Sequence, residues 1–213
     1  MSVNAEERIA GMAASNVVAF EVRHSLCTKE RLQVIVDYAK KCIDLPGEFW
    51  EMGVYLGGSA SLIGKVGHHK VLRLFDSFEG VSEPGEKDNP VNYQEPDGPM
   101  WAGEWHGDLK RALINIGREC VVHKGWIPET FKDVPAGVKC AFAHVDTDLY
   151  QPIKDSLEFI LPRLSDGGYI VVDDFDFPRH PGVRIAIEEL LQVWPNLKGC
   201  QETFGQVVLR LEK

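Results

Sequence analysis

FWEMGVYLGGSASLIGKV, residues 49 to 66, contains the change of period on which the fold turns. Phe49 to Val54 is a short, almost unbroken apolar run, as expected of a strand covered on both faces. Gly53, Gly57 and Gly58 follow, and from Ala60 to Val66 the composition becomes that of a helix. A glycine turn between strand and helix lets a ligand approach the backbone and leaves unpaired N–H groups at the helix N-terminus. Such a turn suits an anion, a phosphate or a carboxylate.

On either side the same alternation continues. Lys70 to Phe75, Cys120 to Lys124, Cys140 to Val145 and Tyr169 to Val172 read as further buried strands. Leu149, Ile153, Leu157, Ile160, Leu161 and Leu164 repeat at helical spacing, as do Val183, Ile187, Leu190, Leu191 and Trp194. Strands alternating with helices predict an α/β fold, a mostly parallel central sheet with helices on both faces. Thr28 is placed to cap a helix running to about Cys42. Glu202 to Leu211, broken at Gly205, suits a closing hairpin whose last strand is antiparallel.

Two segments stand apart. Residues 1–27 read as an N-terminal arm, mobile over its first two dozen residues. Ser82 to Asp108 carries Pro84, Pro90, Pro96 and Pro99 together with Tyr93, Trp101 and Trp105. The prolines break regular structure, and the aromatics favour a lid over a disordered linker.

With 213 residues and 44% hydrophobic content, the chain suits one domain, 1–213. Its five cysteines lack any C-x-x-C pair, so neither a disulfide framework nor a zinc site is expected. Polar residues Glu6, Glu7 and Arg8 stand where a signal peptide needs apolar ones. A cytoplasmic protein without a membrane partner is the expectation. A net charge of -9 argues against nucleic acid, whose backbone is bound by clustered Lys and Arg. A homo-oligomer is compatible with these numbers.

The glycine turn lacks the dinucleotide pattern G-x-G-x-x-G and the Walker lysine. Two residues before Gly53 it has an acid, Glu51, which would repel a pyrophosphate and attract an ammonium. S-adenosylmethionine carries an ammonium and a carboxylate on its methionine end. Glu51 would take the first; the turn residues Gly53, Val54, Tyr55 and Gly58, with Ser59, would take the second. The second strand ends in Asp76-Ser77-Phe78, where open α/β folds place a ribose-hydroxyl acceptor. Phe78 is a candidate flank for adenine, and Gly125-Trp126 for its other wall.

The acids concentrate at the ends of the last two parallel strands. His144-Val-Asp146-Thr-Asp148 follows the fourth, and Asp173-Asp174 the fifth. Four carboxylates at adjacent strand ends repel one another unless a cation lies among them, and oxygen ligands favour a hard ion such as Mg²⁺ or Ca²⁺. One at a time, each acid also reads as a helix cap.

Taken together, the stretches Glu51-x-Gly-Val-x-x-Gly-Gly-Ser59, Asp76-Ser-Phe-Glu-Gly80, Lys124-Gly-Trp126, Asp146-x-Asp-Leu-Tyr150, Gly167-Gly-Tyr-Ile-Val-Val-Asp-Asp174 and Pro181-Gly182 resemble the macrocin O-methyltransferase family of natural-product sugar methyltransferases. The resemblance implies the Rossmann-like class I methyltransferase fold and S-adenosylmethionine as cofactor, with Asp146 among its contacts. It also implies Mg²⁺ at Asp146, Asp173 and Asp174, and Asp148 as candidate general base. Met52 and Leu56 depart from the small and basic residues common in the first motif. His144 and His106 are rival bases. A metal-dependent nucleotide-sugar transferase shares the D-x-D pattern but has no need of Glu51; a non-catalytic binding protein gains nothing from the crowded acids.

Overall fold

A computed structural model describes residues 24–89 and 100–212. Most of the expected arm, residues 1–23, and the lid aromatic Tyr93 lie outside them. Helix α1 (Lys29–Lys41) begins at Thr28, whose side chain accepts from Arg31 N, and ends at Cys42. Strand β1 (Glu48–Met52) passes through the glycine turn into α2 (Gly58–Val66). β2 (Leu72–Asp76), α3 (Leu109–Ile116) and β3 (Val121–Lys124) follow, then β4 (Cys140–Val145) and α4 (Tyr150–Ile160). β5 (Leu164–Val172), α5 (Pro181–Val193), β6 (Leu197–Thr203) and β7 (Gln206–Leu211) complete the order.

The strands make one seven-stranded sheet in the order β3-β2-β1-β4-β5-β7-β6. β1 to β5 are parallel; β7 runs antiparallel to both β5 and β6. The strand order reverses between β1 and β4, which sets the ligand crevice at their carboxyl ends.

Alternation along the strands sorts the core into two layers. Phe49, Phe142 and Val171 face α1, α2 and α3. Trp50, Met52, Ala143 and Val172 face α4 and α5. Fully burying side chains such as Trp50, Phe49 and Phe75 stabilises the fold by roughly 1.5–3 kcal/mol apiece.

Three elements differ from the sequence expectation. β5 starts at Leu164, five residues early, because Pro162 ends the helix in a short 3-10 turn at 161–163 and Gly167 and Gly168 let the chain enter the sheet. β6 likewise begins at Leu197. α3 was unforeseen: Asp108 caps it, accepting from Arg111 N at 2.9 Å, and Gly117 ends it in the left-handed region. Among the described residues no helix is long and apolar enough to cross a membrane.

Candidate active site

The exits of β1 and β4 are pressed together. A Cβ on Gly53, whose φ is +83°, would lie 1.8 Å from the carbonyl oxygen of Asp146, so only glycine fits. Asp76 fixes the other side of the turn: its Oδ2 accepts from Val54 N at 2.6 Å and Tyr55 N at 2.9 Å, its Oδ1 from Phe78 N at 2.6 Å. At Gly58 a Cβ would meet the backbone of His24 at 2.7 Å, so the last residues of the arm lie directly on the turn.

Between these elements lies a cavity of about 270 Å³. Gly53, Val54, Tyr55, Gly58, Ser59, Asp76, Ser77, Gly125, Trp126, Asp146, Asp148 and Asp174 all line it, as the sequence reading expected of them. Trp105 of the lid lines it too. The lid is drawn together at its base, where Val81 N donates to Glu104 O and Gly103 N to Val81 O, both at 2.8 Å.

Five expected residues lie off the cavity wall. Glu51 is fully buried behind the cavity, not presented to it; it sits beside His144 in the β1–β4 register, and its Oε1 is 2.8 Å from His144 Nδ1. Both side chains point to the α1 face, on the same side of the sheet as Phe49 and Phe142. Neither the Glu51 carboxylate nor the His144 ring is open to the cavity, and Glu51 Oε2 is buried without a hydrogen-bond partner. Phe78 packs into the core beside the α2 and α3 layer instead of flanking the cavity. Asp173 is wholly enclosed, one residue behind Asp174. His106 is exposed and forms no part of the cavity wall.

The acids do converge, and they arrive with partners that the sequence did not announce. Arg31 Nη2 stands 2.7 Å from Asp173 Oδ1 and 2.5 Å from Asp174 Oδ1. Cys27 Sγ donates to Asp173 Oδ2 at 3.1 Å, and His144 Nε2 lies 3.6 Å from the same oxygen. His180 Nδ1 sits between Asp148 Oδ1 at 3.4 Å and Asp174 Oδ2 at 3.5 Å, its ring stacked on Trp105. Asp148 and Asp174 both hold positive φ, 63° and 58°. Non-glycine residues in that region are uncommon and cluster where side chains must be aimed.

Charge follows from this packing. Burial, then the neighbouring Asp173 and Asp174, raise Asp146 well above the usual carboxylate range. Burial with Asp146 and Asp174 does the same to Asp148. Burial also works to raise Asp173, but the hydrogen-bonding His144 and the charge of Arg31 outweigh it and hold Asp173 low. Although burial pulls His144 downward, Asp173 and Glu51 on either side lift it to about 10.

The donor set fits a divalent cation. Cys27, Asp146 and Asp173 offer ligand atoms within 4.8 Å of one another, and so do Asp148, Asp174 and His180. Asp146 and Asp148 lack enough positive charge nearby to offset their burial and mutual repulsion, and both ring nitrogens of the buried His180 lack hydrogen-bond partners. The donors are not oxygen alone, since a thiol and an imidazole stand among them. The turn likewise fits S-adenosylmethionine: N–H groups at the start of α2 for a carboxylate, Asp76 as an acceptor, and the indole of Trp126 in the wall.

The chain and its fold are similar to those of known proteins. The family model described as macrocin-O-methyltransferase (TylF) matches residues 2–195. The chain is 30% identical over 175 residues to the 8-demethyl-8-(2,3-dimethoxy-alpha-L-rhamnosyl)-tetracenomycin-C 4'-O-methyltransferase of Streptomyces olivaceus, covering 72% of this chain and 63% of that protein. It is 27% identical over 166 residues to the demethyldecarbamoylnovobiocin O-methyltransferase of Streptomyces niveus, covering 71% and 62%. The chain thus spans just under two thirds of the length of these two relatives. Among solved structures, the O-methyltransferase NovP superposes with a TM-score of 0.71 at 23% identity, covering 89% of this chain and 83% of NovP. CalS11, a calicheamicin methyltransferase, superposes with a TM-score of 0.70 at 19% identity, covering 100% and 95%.

Proposed function

Because the chain belongs to the macrocin O-methyltransferase family and has the Rossmann-like class I methyltransferase fold, we propose that it methylates a hydroxyl of a small molecule, using S-adenosylmethionine and a divalent cation. The observation that carries the reading is one cavity bounded by the glycine turn on one side and by Asp146, Asp148 and Asp174 on the other. The relatives named for rhamnosyl and novobiocin substrates favour a sugar or another vicinal diol as acceptor. We further read residues 1–213 as one domain and the protein as cytoplasmic.

The bound cofactor supplies an electrophilic methyl group and the cation lowers the pKa of a hydroxyl beside it. The chain's own residues do the rest. Gly58 and Ser59 receive the cofactor's carboxylate, Asp76 its ribose hydroxyls, and Trp126 bounds the adenine. Asp146, Asp173 and Asp174 hold Mg²⁺ or a similar divalent ion. Asp148 takes the hydroxyl proton: it lines the cavity, and burial and Asp146 bias its carboxyl toward holding a proton. Trp105, stacked on His180, closes the cavity against water.

The test is calorimetry with S-adenosylhomocysteine plus a turnover screen over vicinal-diol sugars and catechols, each with Mg²⁺ and with excess EDTA. Asp146→Asn is expected to abolish metal-dependent turnover while leaving most cofactor affinity. Full turnover in EDTA would sink the metal reading. Binding of a sugar nucleotide in place of S-adenosylhomocysteine would sink the cofactor reading.

A further inference from the structure

Arg31 occupies an unusual position for a surface-helix residue. A single nitrogen, Nη2, bridges Asp173 and Asp174 at 2.7 and 2.5 Å. The same guanidinium is held from behind: Nε donates to Phe204 O at 3.1 Å in the β6–β7 turn, and Gly205 lies so close that a Cβ there would be 3.3 Å from Nη2. Its side chain is only 16% exposed and lines the cavity. The guanidinium thus ties α1, the β6–β7 turn and both carboxylates together.

The geometry points to Arg31 as the resident counter-ion of the acidic site, so that its guanidinium and a divalent cation are alternative partners for Asp173 and Asp174. The inference rests on the reading of those aspartates as metal ligands. An ion bound to the two oxygens that Nη2 now bridges would stand within a few ångströms of a permanent positive charge, in a setting poorly screened by water. One of the two must withdraw. Before a metal arrives, Arg31 keeps the adjacent carboxylates together. After it arrives, the guanidinium leaves, and the tie between α1 and the β6–β7 turn is broken. Arg31 therefore sets metal affinity without being a ligand.

The test compares wild type, Arg31→Met and Arg31→Lys, using Mn²⁺ binding followed by the electron paramagnetic resonance of the free ion and thermal melting in EDTA. Arg31→Met is expected to melt lower in EDTA and yet bind Mn²⁺ more tightly, on the order of tenfold, because the competitor is gone. Arg31→Lys keeps a charge but loses the fork, and is expected between the two in both measurements. Should the methionine variant not fold, the lysine variant against wild type carries the comparison. Equal or weaker Mn²⁺ affinity in the folded variants would overturn the competition. Absence of Mn²⁺ binding from wild type and variants alike, with Asp146→Asn indistinguishable from them, would overturn the metal reading itself and the competition with it.

Discussion

Gly53→Ala tests the closure between β1 and β4 at its tightest point. The added Cβ would sit 1.8 Å from Asp146 O, a contact that real structures hold to at least 3.0 Å, so the carbonyl must retreat by about 1.2 Å. The backbone is also caught in the left-handed region at φ +83°, which costs an alanine about 1–2 kcal/mol. With the displaced strand end the destabilisation is expected near 3 kcal/mol, the upper part of the ordinary range. For a domain of this size that lowers Tm by roughly 6–12 °C at about 2–4 °C per kcal/mol. Because Asp146 moves with its carbonyl, kcat is expected to drop about 100-fold, as misplacement by an ångström does elsewhere. The control is Gly103→Ala, which has a similar φ of +81° but nothing within 4 Å of the new Cβ. It should cost only the backbone part, about 1–2 kcal/mol. Scanning fluorimetry and initial rates decide it: a Gly53→Ala protein that melts and turns over like Gly103→Ala would refute the argument.

Asp76→Ala removes the acceptor for three backbone N–H groups and is expected to weaken S-adenosylhomocysteine binding at least about tenfold by calorimetry, each stranded N–H costing about 1–3 kcal/mol. Asp88→Ala strips α4 of the carboxylate that accepts from Tyr150 N at 2.7 Å; a loss of about 1–2 kcal/mol in chemical denaturation is expected, with lower kcat because α4 starts two residues after Asp148. In EDTA the stability should fall with rising pH above neutrality. His144 has a folded pKa of about 10 against an ordinary 6.5, so its contribution is complete below about 6.5 and lost as pH climbs through 10. Melting curves of wild type against His144→Gln measure it, and an identical slope in both proteins would refute the assignment.

The fold was readable because it is written in local periods. Continuous apolar runs at Phe49 to Val54 and Cys140 to Val145 need two covered faces, and the helical repeats between them supply the covers. Thr28 capped its helix as expected since capping is a matter of three residues. The misplaced starts of β5 and β6 have the opposite origin. Leu164 fits a helical repeat and a strand equally well, and only the sheet's hydrogen bonds with Cys140 decide for the strand. α3, with eight residues, offers too short a repeat to stand out beside the proline-rich segment before it.

The site was readable by residue type and less so by orientation. Asp146, Asp148 and Asp174 were found from their position at strand ends, which any parallel sheet turns into a cleft. Glu51 was assigned to the ligand because it is an acid at the first turn, but strand parity puts it on the α1 face with His144, and that pairing depends on a register between residues 93 positions apart. The parity of Phe49, Glu51, Phe142 and His144 could have placed the two on one face, given knowledge that β1 and β4 are neighbours.

Crowded carboxylates do require positive charge nearby, and from the string of acids alone a metal is the natural source. Arg31 lies 142 positions from Asp173, on a helix whose sequence reads as an ordinary amphipathic layer. His180 and Cys27 enter the same cluster from a loop and from the end of the arm. Mutual repulsion thus fixes how much positive charge the site needs but not where it comes from. In this fold Asp173 is already answered by Arg31 and His144 and is held low, whereas Asp146 and Asp148 remain raised. An added cation would therefore gain most from Asp146 and its neighbour Asp148, while at Asp173 and Asp174 it would first have to displace Arg31.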